Sequence, residues 1–394
     1  MATTTRSSID PLDPLALAGE LSDDERLLRE TVRRYVRERF LPGIAAHYEA
    51  GTFPDGIARD LGDLGLLGMH LDGYGCAGAS ATAYGLACLE LEAGDSGLRS
   101  FCSVQGSLAM FAIHRFGSEE QKERWLPPMA RGELIGCFGL TEPDAGSNPA
   151  AMRARARRDG EGWLLNGSKM WITNGSVADV AVVWARTDTG EVNGFLVEAG
   201  TPGFRAPEMH HKLSLRASIT SELVLDNVRV PETNRLPDAA SLRGPLSCLN
   251  EARYGSVWGA AGAARACYEA ALDYARSREQ FGKPIAGFQL TQAKLVDMAV
   301  KVGQSTLLAL HLGRLKDRGE LRPEQVSFGK YHNVATALDV AHTARTVLGA
   351  NGITLEYPVL RHANNLESVL TYEGTHEMHT LILGQALTGI DALS

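Results

Sequence analysis

About a hundred residues of short β-type runs stand between two stretches whose apolar residues recur at helical spacing, and this order constrains the fold more than any single motif. Up to about Arg131 the texture is helical. Ser22 followed by Asp23, Asp24 and Glu25 is a helix start, and the stretch it opens runs to Phe40. Between about Leu134 and Val230, residues 169–173, 180–185, 194–198 and 223–230 read as strands, with Asn166-Gly167 and Asn174-Gly175 as hairpin punctuation. Helical spacing returns over about 246–276, 290–316 and 323–348, and in a shorter pair flanking Glu373. Long helices with short connections predict an antiparallel bundle. Strands and helices are segregated, so an alternating βαβ sheet is excluded and the expected class is α+β, multidomain. We expect a helical N-terminal domain over 15–133, a middle β domain over 134–240 and a C-terminal four-helix bundle over 241–394.

A chain of 394 residues is long enough for two or three domains and for a large buried cavity. Its 44% apolar and 22% charged residues are those of an ordered globular protein. The net charge is −8 and the 39 basic residues are dispersed, so nucleic acid is not an expected partner. Six cysteines, at 76, 88, 102, 137, 248 and 267, form no C-x-x-C pair and no zinc-type cluster; they read as buried thiols of a reducing compartment. No apolar run reaches the length of a membrane span, and residues 1–14 lack a signal or transit pattern. The expected location is the cytoplasm, without membrane insertion.

The sharpest chemical signal is Thr371-Tyr372-Glu373-Gly374-Thr375-His376, one carboxylate beside a glycine break, with apolar residues at 378, 381, 382, 386 and 390 marking a helix directly after it. A carboxylate on such a turn can face a cleft, where desolvation suits it to take a proton from carbon. The alternative is an ordinary surface charge. In the β region, residues 138–147 (F-G-L-T-E-P-D-A-G-S) end an apparent strand in a Gly/Pro loop that offers N–H groups and hydroxyls to a polar heterocycle or a phosphate. Residues 169–175 (K-M-W-I-T-N-G) place Trp171 and Thr173 on one strand face, a ring beside a hydroxyl that suits one edge of an isoalloxazine. Residues 278–284 (R-E-Q-F-G-K-P) break a long helix with a basic, aromatic turn, and 346–352 (T-V-L-G-A-N-G) end another in a glycine cap. Taken singly, these segments are turns, caps and core. Two further patterns carry less. Residues 73–78 (G-Y-G-C-A-G) fit G-x-G-x-x-G but sit among helices with no acidic residue at the required distance, so they read as a loop. His376 and His379 are spaced H-x-x-H, not H-E-x-x-H, and no metal is expected.

In this order the segments resemble the acyl-CoA dehydrogenase family of flavoproteins over essentially the whole chain, and within it the glutaryl-CoA dehydrogenases. The likeness is carried by residues 92–107 (E-A-G-D-S-G-L-R-S-F-C-S-V-Q-G-S), 138–147, 248–255 (C-L-N-E-A-R-Y-G) and 370–390. It implies the acyl-CoA dehydrogenase fold, FAD as cofactor, assembly as a homotetramer, and an electron-transfer flavoprotein as electron acceptor. Matching positions imply that Phe138, Gly139, Leu140, Thr141, Gly146 and Ser147 lie along the flavin, with Trp171, Ile172 and Thr173 on its ring. Arg278, Phe281, Gln289, Thr346, Leu348, Gly349 and Ala350 are expected on the FAD of a neighbouring subunit; Thr375, His376 and Glu377 are expected on that of the same site.

The resemblance also implies Glu373 as the base that takes the α-proton of an acyl-CoA thioester while the flavin accepts the β-hydride. The thioester oxygen is then held by the backbone N–H of the base. In one branch of the family the base comes from the helix around residue 252; here Ala252 stands at that position and Glu251 is one residue off. Asn250 and Arg253 match contacts to CoA, and Ser147, Tyr372 and Gly374 match acyl-side contacts. Arg99, with Glu92 and Ser100 beside it, stands where the glutaryl-CoA branch grips a distal carboxylate. A buried guanidinium fork suits a carboxylate, and an uncharged chain would leave it unpaired. The alternative for Arg99 is a structural ion pair with Glu92 or Asp95. The expected reaction is oxidation and decarboxylation of glutaryl-CoA to crotonyl-CoA and CO2. The alternative is dehydrogenation of another short or carboxyl-bearing acyl-CoA without decarboxylation.

Overall fold

The computed structural model describes residues 9–392. Residues 1–8, which carry part of the N-terminal reading above, and 393–394, the end of the third expected domain, lie outside the described residues. Helix α1 (Asp23–Tyr35) starts where the acidic run predicts, because Ser22 and Glu25 form a reciprocal capping box. A π-type turn (Val36–Phe40) carries it into α2 (Leu41–Ala50), and α3 (Ile57–Asp63) follows. Residues 73–78 are indeed a loop, with helices on either side of it. That loop leads into α4 (Ala81–Gly94), which is buried along most of its length. Then come α5 (Ser96–Ser103), a second π-type turn (Val104–Met110), α6 (Phe111–Phe116) and α7 (Glu119–Ala130).

Seven strands follow: β1 (Gly136–Gly139), β2 (Arg155–Asp159), β3 (Gly162–Thr173), β4 (Val180–Thr187), β5 (Val192–Glu198), β6 (Phe204–Arg205) and β7 (Thr220–Pro231). They pair in the order β1-β4-β2-β3-β7-β6, with β5 on β4. β4 runs parallel to β1 and β2; the other pairings are antiparallel. One expectation is corrected here. Asn166-Gly167 is not a hairpin turn but an irregularity inside β3, where the register against β7 slips and Gly167 takes a φ of 139°. The turn between β2 and β3 falls instead at residues 159–162.

Helices return with α8 (Arg243–Ser277), a ribbon of β8 (Glu279–Gln280) and β9 (Lys283–Pro284), then α9 (Gln289–Asp317), α10 (Pro323–Leu348), α11 (Val359–Thr371) and α12 (His376–Thr388). Helices α8 to α11 pack as a bundle and α12 lies on α10. One apolar core runs from the first helices into α8 and α9, a second fills the bundle and a third lies within the sheet. Buried ion pairs tie the first core to the bundle: Glu90 of α4 accepts from Arg29, Arg33 and Arg265, and Asp95 accepts from Arg361 and Asn365. These ties hold α4 against α1 and α8, and the α4–α5 junction against α11. Among the described residues, no helix is long and apolar enough to cross a membrane.

Candidate active site

The turn between α11 and α12 is conformationally forced. Glu373 takes a left-handed backbone (φ 54°) and Gly374 a φ of 96°. A non-glycine residue holds such a conformation only where its surroundings over-determine it. Here the surroundings are two cations from two helices. The Lys330 ammonium of α10 donates to the Tyr372 carbonyl and, at 2.6 Å, to the Gly374 carbonyl. Arg253 of α8 donates through Nε to the Glu373 carbonyl at 2.6 Å and through Nη1 to Asn250 Oδ1 at 3.0 Å. Three consecutive carbonyls are thereby held. Ser256, one helical turn beyond Arg253, donates to the Glu373 carboxylate at 3.0 Å. Burial pushes the Lys330 amine down to about 7, and the Glu373 charge works against that shift.

Arg99 of α5 is fully buried. Its Nε pairs with Glu92, and its Nη2 donates to the Tyr372 hydroxyl and lies 3.5 Å from Ser100 Oγ. Among the described residues, its Nη1 and the second Glu92 oxygen have no hydrogen-bond partner. Asp95, the other acidic candidate for Arg99, is engaged by Arg361 and Asn365. Burial disfavours the Arg99 charge, and Glu92, Tyr372 and Glu373 around it more than restore it. Gly259 makes room for this pair: a Cβ there would stand 1.8 Å from Glu92 Oε2 and 2.8 Å from Arg99 Cδ.

Helices α4, α5 and α8 and the turn between α11 and α12 therefore bring together Glu92, Arg99, Ser100, Asn250, Arg253, Tyr372, Glu373 and Gly374. Ser256, Gly259 and Lys330 join them without having been singled out from the sequence. Lys330 is the lone charge among the buried residues of α10. Glu251 is engaged elsewhere, its two carboxylate oxygens accepting from Lys316 at 2.7 and 2.9 Å. At the start of α12, Thr375 caps the helix by accepting from the Met378 N–H, His376 stacks on Tyr331 with centroids 4.0 Å apart, and Glu377 is exposed.

The loop after β1 is braced from below. Lys169, fully buried, donates to Glu142 at 2.7 Å and to the Leu140 carbonyl at 3.2 Å, while Glu142 accepts from the N–H groups of Arg153 and Ala154. Phe138 and Leu140 are buried, Gly139 closes β1, and the Thr141 carbonyl accepts from the Met170 N–H at 2.8 Å. Gly146 and Ser147 lie exposed beyond them. Trp171 and Thr173 are not arranged by plain strand alternation. A bulge puts Trp171 in a left-handed backbone (φ 63°) with its side chain 59% exposed, between buried Ile172 and half-buried Met170; Thr173 is half-buried. A flat ring held open on a rigid bulge, next to a braced loop, fits a planar heteroaromatic group such as flavin.

The remaining candidates sit at the other end of the bundle. Ser256 and Arg278 are 22 residues apart on α8 and at its end, roughly 30 Å at the rise of a helix. Arg278 follows α8, Phe281 tops the ribbon at 94% exposure, and Gln289 opens α9. Thr346 lines a cleft of about 410 Å³ between α9 and α10, while buried Leu348 ends α10 and Gly349 and Ala350 follow it. Within one chain these seven residues do not join Glu373.

The sequence matches the acyl-CoA dehydrogenase N-terminal domain over residues 22–133, the middle domain over 137–228 and the C-terminal domain over 243–388. The chain is similar to a glutaryl-CoA dehydrogenase from Mycobacterium smegmatis in complex with FADH2, at 61% identity over 98% of this chain and 100% of that one, with a TM-score of 0.97. A second structure of glutaryl-CoA dehydrogenase from Mycobacterium smegmatis is 66% identical over 98% of this chain and 100% of that one, with a TM-score of 0.96. An acyl-CoA dehydrogenase of Bacillus subtilis is 35% identical over 94% of this chain and 99% of its own length. The three matched domains cover nearly the whole chain in the order in which helices, sheet and bundle occur: the chain belongs to the acyl-CoA dehydrogenase family.

Proposed function

We propose that the chain binds FAD and oxidises glutaryl-CoA at its α,β bond, and that the product then loses CO2 to give crotonyl-CoA. The observation that carries this reading is a carboxylate on a cation-held turn beside a buried arginine with one nitrogen to spare. Glu373 takes the α-proton. Because a trans peptide sets N–H and C=O in opposite directions, the Lys330 hold on the Tyr372 carbonyl turns the Glu373 N–H the other way, where it meets the thioester oxygen. Asn250 and Arg253 meet the CoA side, and Ser147 and Gly374 the acyl side. Arg99, positioned by Glu92, Ser100 and Tyr372, offers Nη1 to the distal carboxylate. After oxidation the C–C bond to that carboxylate breaks, its electron pair enters the conjugated thioester, and Glu373 returns a proton to the γ-carbon.

FAD supplies the hydride acceptor when bound. The loop at Phe138, Gly139, Leu140, Thr141, Gly146 and Ser147, the bulge at Trp171, Ile172 and Thr173, and the turn at Thr375, His376 and Glu377 hold it on one side. The remote set from Arg278 to Ala350 belongs to the FAD of a neighbouring subunit in a homotetramer. An electron-transfer flavoprotein takes the electrons on. The domain edges are read at 133/134 and 240/241, and the six free cysteines suit the cytoplasm.

Anaerobic titration tests the reading. The flavin bleaches rapidly with glutaryl-CoA, releases one CO2 per turnover, and bleaches only slowly with butyryl-CoA; Glu373→Gln keeps its flavin and does not bleach. Absence of bleaching with glutaryl-CoA overturns the substrate, and full turnover by Glu373→Gln overturns the base.

A further inference from the structure

Lys330 is the one charged residue among the buried positions of α10. It is 2% exposed, and the carbonyls of Tyr372 and Gly374 are the groups to which its ammonium donates. No carboxylate pairs with it in the described residues. The cations Arg253 and Arg99 lie near it, and across the turn stand Glu373, His379 and the Tyr372 ring, the last at 5.6 Å from the ammonium. A buried ammonium satisfied by carbonyls alone is a poor device for stability, since its desolvation is not offset by an opposite charge in contact. What this arrangement does secure is direction. The two carbonyls belong to the residues on either side of Glu373, and Arg253 takes the carbonyl between them. The peptide planes before and after Glu373 are thus fixed by donors from α8 and α10, with the Glu373 N–H turned away from Lys330.

We propose that Lys330 is a positioning residue for the reaction: by holding the Tyr372 and Gly374 carbonyls, it aims the Glu373 carboxylate and the Glu373 N–H at the same thioester. This rests on the function proposed above. Removing the ammonium leaves the base in place but frees the peptide that presents the N–H, so proton abstraction slows more than binding weakens.

The experiment reads proton abstraction apart from oxidation. A glutaryl-CoA analogue with sulfur at the β-position has no β-hydride to lose, and its α-hydrogens exchange with deuterium oxide if the base acts. Exchange is followed by NMR per mole of bound flavin, and analogue affinity is read from the flavin absorbance. Wild-type protein that does not exchange defeats the function reading itself, independently of Lys330. Given exchange, Lys330→Met is expected to slow it about 100-fold, the size of losing one oxyanion-type donor, with affinity within about fivefold. Lys330→Gln, which can hold one carbonyl, falls between them. Exchange per flavin within threefold of wild type in Lys330→Met overturns the proposal. So does the failure of both variants to fold, which would make Lys330 a folding requirement and not a positioning one.

Discussion

At the scale of single residues, the proposed function makes Arg99 the residue that selects which thioester is oxidised. Its charge is desolvated, its Nε and Nη2 are committed to Glu92 and Tyr372, and Nη1 is without a partner among the described residues. Removing one member of a buried charge pair costs about 2–5 kcal/mol, which is a factor of roughly 30 to several thousand in affinity. Arg99→Met is therefore expected to lower kcat/KM for glutaryl-CoA by at least about 100-fold and to leave the small activity on butyryl-CoA nearly unchanged. Steady-state kinetics on the two thioesters checks this. An equal loss on both would mean that Arg99 serves the protein only through Glu92. Glu373 and Arg99 were both legible in the sequence, because each stands in a segment with a local pattern of its own. Ser256, Gly259 and Lys330 were not. Helical spacing says that such residues face inward, but it does not say that Glu92 will lie 1.8 Å from where a Gly259 Cβ would be, or which carbonyls Lys330 will find.

At the scale of elements, the junction of α1, α4 and α8 is set by Glu90. Burial alone pushes its carboxyl up, but Arg265 and Arg33 pull it further the other way, and the net position is well below the usual carboxylate range. The folded chain thus keeps a carboxylate where the unfolded chain would take a proton. Its contribution is fully present above the unfolded value of about 4.3 and drains as pH falls through that value toward the lowered one. Glu90→Gln should lower the thermal midpoint at pH 7 clearly, since three arginines lose their common partner, and should flatten the fall in midpoint between pH 5 and pH 3. Thermal unfolding of both proteins at the two ends of that window measures it; parallel pH curves would sink the assignment. The helices around this junction were readable in outline because their ends carry local chemistry, such as the Ser22 capping box, Pro323 at the start of α10 and Gly349 beyond its end. The strands were readable as runs but not in their turns. Asn166-Gly167 has the composition of a hairpin and sits inside β3, since pairing with β7 on one side and β2 on the other overrides a two-residue preference.

At the scale of the whole molecule, Arg278 lies roughly 30 Å along α8 from Ser256 beside Glu373, and the proposed function assigns its set of residues to the FAD of another copy. The surface along the bundle fits that reading. On α9, Val296, Val300 and Leu307 share one helical face and are 62%, 51% and 47% exposed; Phe328 on α10 and Phe281 on the ribbon add to the apolar area. Exposed apolar residues lined along a helix face suit packing against another chain. The substitutions Val300→Asp and Leu307→Asp together place two charges where a second α9 or α10 face would have to pack, and leave Glu373 and Arg99 untouched. Light scattering of the wild type is expected to give four chain masses, and the double variant a smaller species. Because Arg278, Phe281, Gln289 and residues 346–350 would then lose their neighbour's FAD, flavin content should fall with the mass. A smaller species that keeps full flavin at the same affinity would show that those residues do not hold a neighbour's cofactor, and would confine the site to the loop, the bulge and the base turn of a single chain.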